Sequence, residues 1–286
     1  MKKIGLVDFF IDEWHSNNYI PWIDELCCEY GYDFKVKYAW AETDTFSDKI
    51  STDEWCEKFG VKKCNSIEEL CEKSDYIMIL APANPEKHLK YAETVLKYGK
   101  NTYIDKTFAP NLEEAKSIYD LGEKYGTKFF STSALRYADE LKEHVSNLNS
   151  VIIRGGGRSF QEYIIHQIEM AVKMMGKGAE KVKVLNGGNQ RICLVKYPDD
   201  KSIFFEYSPC NPFTITTESK NKDAKTQSIS SDYFKNMLKS ILEFFESGNV
   251  PFEKEQTLEV IAIRDALLKA ENNPDEWVEI YLKVRK

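Results

Sequence analysis

Residues 1–133 switch repeatedly between a two-residue and a 3.6-residue apolar period, and that switching restricts the fold more than any other property of the chain. Residues 3–8, 34–41, 75–81, 101–104 and 128–131 read as strands. The run 75–81 (DYIMILA) is apolar almost throughout, as in a strand buried on both faces of a parallel sheet. Helical segments lie between them. One covers 17–30, with Ile20, Ile23, Leu26 and Cys27 on a stripe, and another covers 52–59, stopped by Gly60. A third opens on the capping-box pattern Ser66-Ile-Glu-Glu69, a fourth spans 85–98 before Gly99, and a fifth spans 111–126. Strands separated by single helices and short links form βαβ units and predict a doubly wound parallel sheet.

Near residue 150 the pattern changes. Residues 151–154, 181–186, 190–197, 202–207 and 213–218 read as strands, with turn material such as Gly187-Gly188 between them and one helix near 164–175. Strands that follow one another without intervening helices predict a mostly antiparallel sheet. The polar stretch 219–228, with Lys220, Lys222 and Lys225, reads as an exposed loop, and helices over 232–246 and 254–271 close the chain. The expected architecture is an α/β domain over 1–133 followed by an α+β domain over 134–286.

A length of 286 residues suits two domains of roughly 150 each. The 39 basic and 46 acidic side chains leave a net charge of −7 without any basic block, which argues against nucleic acid or an anionic membrane as a partner. The longest apolar run, 76–83, is too short to span a bilayer. The start MKKIGLVDFF meets Asp8, Asp12 and Glu13 before a signal-peptide core can develop. Seven cysteines, none in a C-x-x-C pair or at zinc spacing, read as reduced thiols, so a cytoplasmic protein without a metal site is expected.

The order of motifs resembles the Gfo/Idh/MocA oxidoreductases, the family of glucose-fructose oxidoreductase and inositol dehydrogenase. The run DYIMILAPANPEKHLKYAETVLKYGKNTYIDKT is similar to that family's strand, turn, helix, Gly-Lys, strand and Glu-Lys-Pro sequence, with Asp105-Lys106-Thr107 in place of the tripeptide. NLEEAKSIYDLGEKYG is similar to the next helix, and ALRYADEL stands where the family has an Arg-aromatic pair. Glu162-x-x-x-His166-x-x-Glu169, with Gly176 ten residues after the histidine, resembles the D-x-x-x-H-x-x-D run, and PFEKEQTLEVIAIRDALLKA resembles the closing helix. The likeness covers nearly the whole chain.

The resemblance implies a Rossmann-like first domain that binds NAD or NADP, with Asp8, Glu42, Ala81, Pro82 and Asp105 around the cofactor. It implies hydride exchange with a sugar-like or cyclic polyol alcohol. Lys106 would hold and polarise the substrate oxygen, and His166 would be the acid/base. Glu162 would orient the imidazole from one helical turn away, and Arg136 and Tyr163 would meet the substrate. It also implies a homo-oligomer formed through the second sheet, whose runs Ile192-Cys193-Leu194-Val195 and Ile203-Phe204-Phe205 suit a covered face.

One part of the pattern is missing. The first strand of a dinucleotide-binding fold leads into G-x-G-x-x-G/A, which lets the backbone approach a pyrophosphate. Here the text is Gly5-Leu-Val-Asp8-Phe-Phe-Ile-Asp12-Glu13-Trp14-His15, and its single glycine lies inside the strand. Asp8, Asp12 and Glu13 put carboxylates where the phosphates would sit. Glu42 or Asp44 would take the ribose hydroxyls, Thr107 replaces the family's proline, and Ile164 replaces its glycine before the histidine. His15, His88 and His144 read as ordinary surface residues. Two classes of function stay open: a redox enzyme with an altered cofactor pocket, and a non-redox member that binds a sugar or metabolite, or assists a partner, without NAD(P). A lyase or hydrolase using the same lysine and histidine lacks a Ser or Cys nucleophile elbow.

Overall fold

Every strand of the first sheet runs parallel, as the strand–helix alternation predicts. The computed structural model describes residues 1–142, 147–221 and 223–281. In chain order the first half comprises β1 (Lys2–Asp8), α1 (Trp14–Tyr30), β2 (Phe34–Ala41), α2 (Thr52–Phe59), β3 (Lys62–Lys63), α3 (Ile67–Lys73), β4 (Tyr76–Ile79), α4 (His88–Val95), β5 (Thr102–Asp105), α5 (Leu112–Tyr125) and β6 (Phe129–Thr132). The sheet order is β3-β2-β1-β4-β5-β6. It reverses between β1 and β4, and ligands of such sheets bind beyond the carboxyl ends of the strands at that switch. Ile4, Leu6 and Val7 of β1 and Ile77, Met78 and Ile79 of β4 are fully enclosed, each worth about 1.5–3 kcal/mol of burial. Gly5 is dictated by packing: a Cβ there would lie 2.4 Å from Ser74 Oγ and 2.6 Å from Leu70 Cδ2.

The second half comprises β7 (Leu148–Gly155), α6 (Phe160–Met175), β8 (Lys181–Gly187), β9 (Gln190–Lys196), β10 (Ser202–Tyr207), β11 (Thr214–Ser219), β12 (Ala224–Ser228), α7 (Tyr233–Ser247), α8 (Lys254–Glu271) and β13 (Val278–Glu279). Its sheet runs β12-β11-β7-β10-β9-β8-β13. All neighbours are antiparallel except β10 and β7. Val151, Ile153, Val184, Val195 and Phe205 point to one face and are buried. On the other face Ile152, Phe204 and Leu194 stand in register, and Ile152, Leu185 and Ile192 are exposed. The stretch expected as a polar loop over 219–228 contains β12, which pairs with β11; polar residues on both of its faces hid it. Residue Lys222 lies outside the described residues.

Two units emerge from these contacts. The first holds Met1–Pro110, Glu114–Thr132 and Lys235–Phe252; the second holds the described residues of Asn111–Glu113, Ser133–Phe234 and Glu253–Lys286. The first unit thus takes most of α7 from late in the chain. The cause is aromatic: Phe245 stacks on Tyr76 with ring centroids 4.9 Å apart, and Phe244 meets Phe130 edge-on at 5.2 Å. No helix among the described residues is long and apolar enough to cross a membrane.

Candidate functional site

The turn from β1 to α1 is built from side chains where the fold usually uses glycines. Glu13 is the N-cap of α1, in an extended conformation. Its Oε1 accepts from Ser16 N at 2.6 Å and its Oε2 from His15 N at 2.8 Å. Ser16 Oγ accepts in return from Glu13 N, closing a capping box. A carboxylate therefore already sits on the helix amides that would otherwise hold an anion. Asp12 turns aside to accept from Asn17 Nδ2 and Ile50 N. Phe10 and Phe46 stack at 4.8 Å beside Phe9, and Lys87 Nζ lies 4.9 Å from the Phe9 ring centroid.

Asp8 ends β1 and is buried. Its Oδ1 accepts from Phe9 N at 2.7 Å and from Ala81 N at 3.1 Å, while Oδ2 is buried without a hydrogen-bond partner. Burial pushes the Asp8 pKa well up, and the neighbouring Glu13 carboxylate pushes it the same way. Ala81 holds Asp8 from a left-handed backbone with φ of 48°.

Asp105, at the end of β5, is buried as well, but it is fully partnered. Oδ2 meets His15 Nδ1 at 2.5 Å; Oδ1 accepts from Tyr103 Oη at 3.0 Å and from Lys106 N at 2.8 Å. Burial raises its pKa, yet His15 and Lys106 outweigh that and hold the carboxyl below its ordinary range. Lys106 is half-buried and donates from Nζ to Pro82 O at 2.9 Å; the Lys106–Thr107 peptide is cis. So the carboxyl edge of this sheet gathers Asp8, Glu13, His15, Ala81, Pro82, Asp105 and Lys106.

Glu42, just past β2, was expected at a ribose. Its carboxylate is instead spent on Lys87 Nζ at 2.6 Å, Lys90 Nζ at 2.9 Å and Tyr91 Oη at 3.0 Å. Hydrogen bonding from Lys87 leads the causes that lower its pKa to about 2. Asp44 pairs with Lys63 in the same way. Two histidines expected at the surface are buried: His15 stacks on Tyr19 at 5.1 Å, and His88 lies between Leu80 O at 2.7 Å and Phe108 O at 3.0 Å, stapling the segments after β4 and β5. His144 lies outside the described residues.

In the second unit His166 stands on α6, which starts at Phe160 because Ser159 caps it. Its Nδ1 lies 2.6 Å from Ser133 Oγ. Ser133 N donates to Glu169 Oε1 at 3.2 Å, and Glu169 Oε2 takes Arg136 Nη1 at 3.2 Å. Arg136 is buried and also donates to Gln256, so the guanidinium expected at the substrate serves to anchor this network. Glu162 is not the partner of His166: its exposed carboxylate pairs with Arg158 at 3.4 Å, and Ser133 takes the imidazole. The Tyr163 ring meets His166 edge-on at 5.4 Å. Gly157 makes room for it, since a Cβ there would lie 2.0 Å from Tyr163 Cδ1. Lys173 donates to Arg136 O at 2.8 Å, and burial, then Arg136, bring its pKa down to about 8.

The motif reading does not include Ser133 or the capping role of Glu13. The Glu13-x-x-Ser16 spacing was a legible signal for the cap. Ser133 carries none for this network, because His166 and Glu169 lie 33 and 36 residues away. Among the described residues no group of three or more His, Cys, Asp or Glu could hold a metal ion.

The model of an oxidoreductase family with an NAD-binding Rossmann fold, GFO_IDH_MocA, matches residues 35–133. An uncharacterized oxidoreductase of Escherichia coli K12, YhhX, is 27% identical over 62 residues, which is 22% of this chain and 18% of that protein. Solved structures are similar in fold over nearly their whole length. A probable dehydrogenase from Thermotoga maritima has a TM-score of 0.81 at 14% identity, covering 97% of this chain and 98% of its own. A protein proposed to be a myo-inositol dehydrogenase of Sinorhizobium meliloti 1021 reaches 0.78 at 12% identity, covering 98% and 100%. GenD2 from gentamicin A biosynthesis, solved in complex with NAD, reaches 0.79 at 11% identity, covering 98% and 97%. The family match begins at residue 35, beyond β1, the carboxylate turn and α1.

Proposed function

We propose that this chain is an oxidoreductase of the Gfo/Idh/MocA family, whose model matches residues 35–133, and that it interconverts a hydroxyl and a carbonyl on a sugar-like or cyclic polyol substrate, with NAD or NADP as the family's redox partner. The observation that carries this reading is Lys106. An ammonium anchored at Pro82 O stands at the carboxyl edge of a parallel sheet, next to the switch in strand order. There it stabilises an oxygen that gains negative charge as a hydroxyl loses its proton. His166 exchanges that proton. In the tautomer whose Nδ1–H donates to Ser133 Oγ, Nε2 carries the accepting lone pair, and Glu169 and Arg136 fix Ser133 in turn. Tyr163, edge-on to the imidazole, is the neighbouring substrate contact. The exposed apolar face of the second sheet, with Ile152, Leu185 and Ile192, serves as the contact between copies of the chain.

When bound, a nicotinamide takes up or returns a hydride. The α1 N-terminus as it stands does not fit the pyrophosphate of such a cofactor. Glu13 covers two of its amides, and Asp8 adds a second acidic group. That misfit favours a second reading, in which the chain binds the same class of metabolite without NAD(P).

The test is an NAD(P)-coupled oxidation assay over a panel of cyclitols and sugars. Lys106→Met and His166→Asn are each expected to lower kcat/KM by about 10²–10⁴-fold. Turnover at the wild-type rate by either variant overturns the assigned roles. Saturable polyol binding by calorimetry, with no turnover, selects the second reading.

A further inference from the structure

We propose that the Glu13 carboxylate is a tethered occupant of the anion place at the α1 N-terminus, so that Glu13 and a dinucleotide pyrophosphate exclude one another there. The inference rests on the family's cofactor being a nicotinamide dinucleotide, and it concerns how this chain receives one.

A single-oxygen cap would satisfy a helix end; Ser, Thr and Asn are usual choices, and each reaches one amide. Glu13 does more. Both of its oxygens are engaged, one on His15 N and one on Ser16 N, in the first turn of a 17-residue helix. That is the bidentate grip a phosphate makes at such a terminus, delivered by the protein itself. Each amide has one hydrogen, so an incoming phosphate must strip Glu13 from the helix before it can bind.

A second observation at the same turn points the same way. Asp8 is buried, its Oδ2 has no hydrogen-bond partner, and Glu13 is the neighbouring charge that acts on it most strongly. A released Glu13 would therefore meet an acidic neighbour, and so would a phosphate. Asp105 is the third acidic group; His15 and Lys106 are the basic side chains beside it. Phe9, Phe10 and Phe46 pack against one another at this turn, where the usual motif has small residues. The family-model match over residues 35–133 does not include this turn, whereas the solved structures of similar fold span it.

The experiment is calorimetric titration of NADH and NADPH into the full chain and into Glu13→Ser and Glu13→Asp. Serine keeps a favoured cap and removes the charge; aspartate keeps both cap and charge. Glu13→Ser is expected to bind at least about tenfold more tightly than the wild type, and Glu13→Asp to bind like the wild type. Should Glu13→Ser melt early, Glu13→Gln gives the same comparison with the side-chain length retained. Low-micromolar binding by the wild type that neither neutral variant improves overturns the proposal, as does an equal gain in Glu13→Asp. If neither the wild type nor the neutral variants bind, Glu13 is not the barrier, and the cofactor reading falls with it. A gain in affinity without turnover of any polyol leaves this inference standing and sinks the substrate assignment alone.

Discussion

Asp8 and Glu169 are both buried acidic residues beside the groups proposed to work, and they are treated in opposite ways. Glu169 has each oxygen answered, one by Ser133 N and one by the Arg136 guanidinium. Asp8 has one oxygen answered by two amides and the other by nothing. A buried carboxylate with a cation and donors organises its surroundings; one without them is driven towards its neutral form. A buried acid has thus produced an ordered network in one unit and a suppressed charge in the other.

Removing Glu169 should break the comparison most sharply. Glu169→Ala leaves the Arg136 guanidinium buried and short of its carboxylate, so urea unfolding should show a loss of about 3–5 kcal/mol. The same variant should shift the His166 titration followed by NMR, because Ser133 loses its fixed amide. Asp8→Asn should act the other way. The folded pKa of Asp8 is raised, so its contribution is fully present below the ordinary value near 3.8 and is lost as pH rises towards the folded value. The asparagine variant should therefore exceed the wild type in stability near pH 7, by on the order of 1 kcal/mol, with the two converging near pH 4. A wild type that is the more stable at pH 7 would show that Asp8 is paired.

Glu42 is an intermediate case, a partly screened carboxylate held by two ammonium groups. Its pKa is lowered from 4.5 to about 2, so its contribution is present above 4.5 and lost as pH falls through 2. Glu42→Gln should cost about 0.5–1 kcal/mol at pH 7 by thermal melting. Glu162→Ala should be the mildest, under about 0.5 kcal/mol, and should leave the His166 titration where it was. A large shift there would restore Glu162 as the partner of the imidazole.

The strands and helices were legible because their apolar periods are strong: DYIMILA can hardly be anything but a buried strand. The boundaries were less so. Helices α1 and α6 begin earlier than their apolar stripes because Glu13 and Ser159 cap them, and a cap is a hydrogen bond rather than a pattern. Strand β12 was missed because Ala224-Lys-Thr-Gln-Ser228 shows no apolar alternation at a sheet edge. At the candidate site, Lys106 and His166 are proposed from motif spacing. Their surroundings are not, because Ser133 reaches His166 across 33 residues and Lys87 reaches Glu42 across 45. The burial of His88 was hidden for the same reason: both of its carbonyl partners come from other segments.

The return of Lys235–Phe252 to the first unit has a consequence for how the chain is made. On the ribosome, β6 emerges long before Phe244 and Phe245 exist. At synthesis rates of about 5–20 residues per second, roughly 10 seconds separate the last strand of the sheet from the helix that covers it. For that interval Tyr76 and Phe130 lack their aromatic partners. The nascent sheet of the first unit thus waits for Lys235–Phe252 before Tyr76 and Phe130 gain these partners.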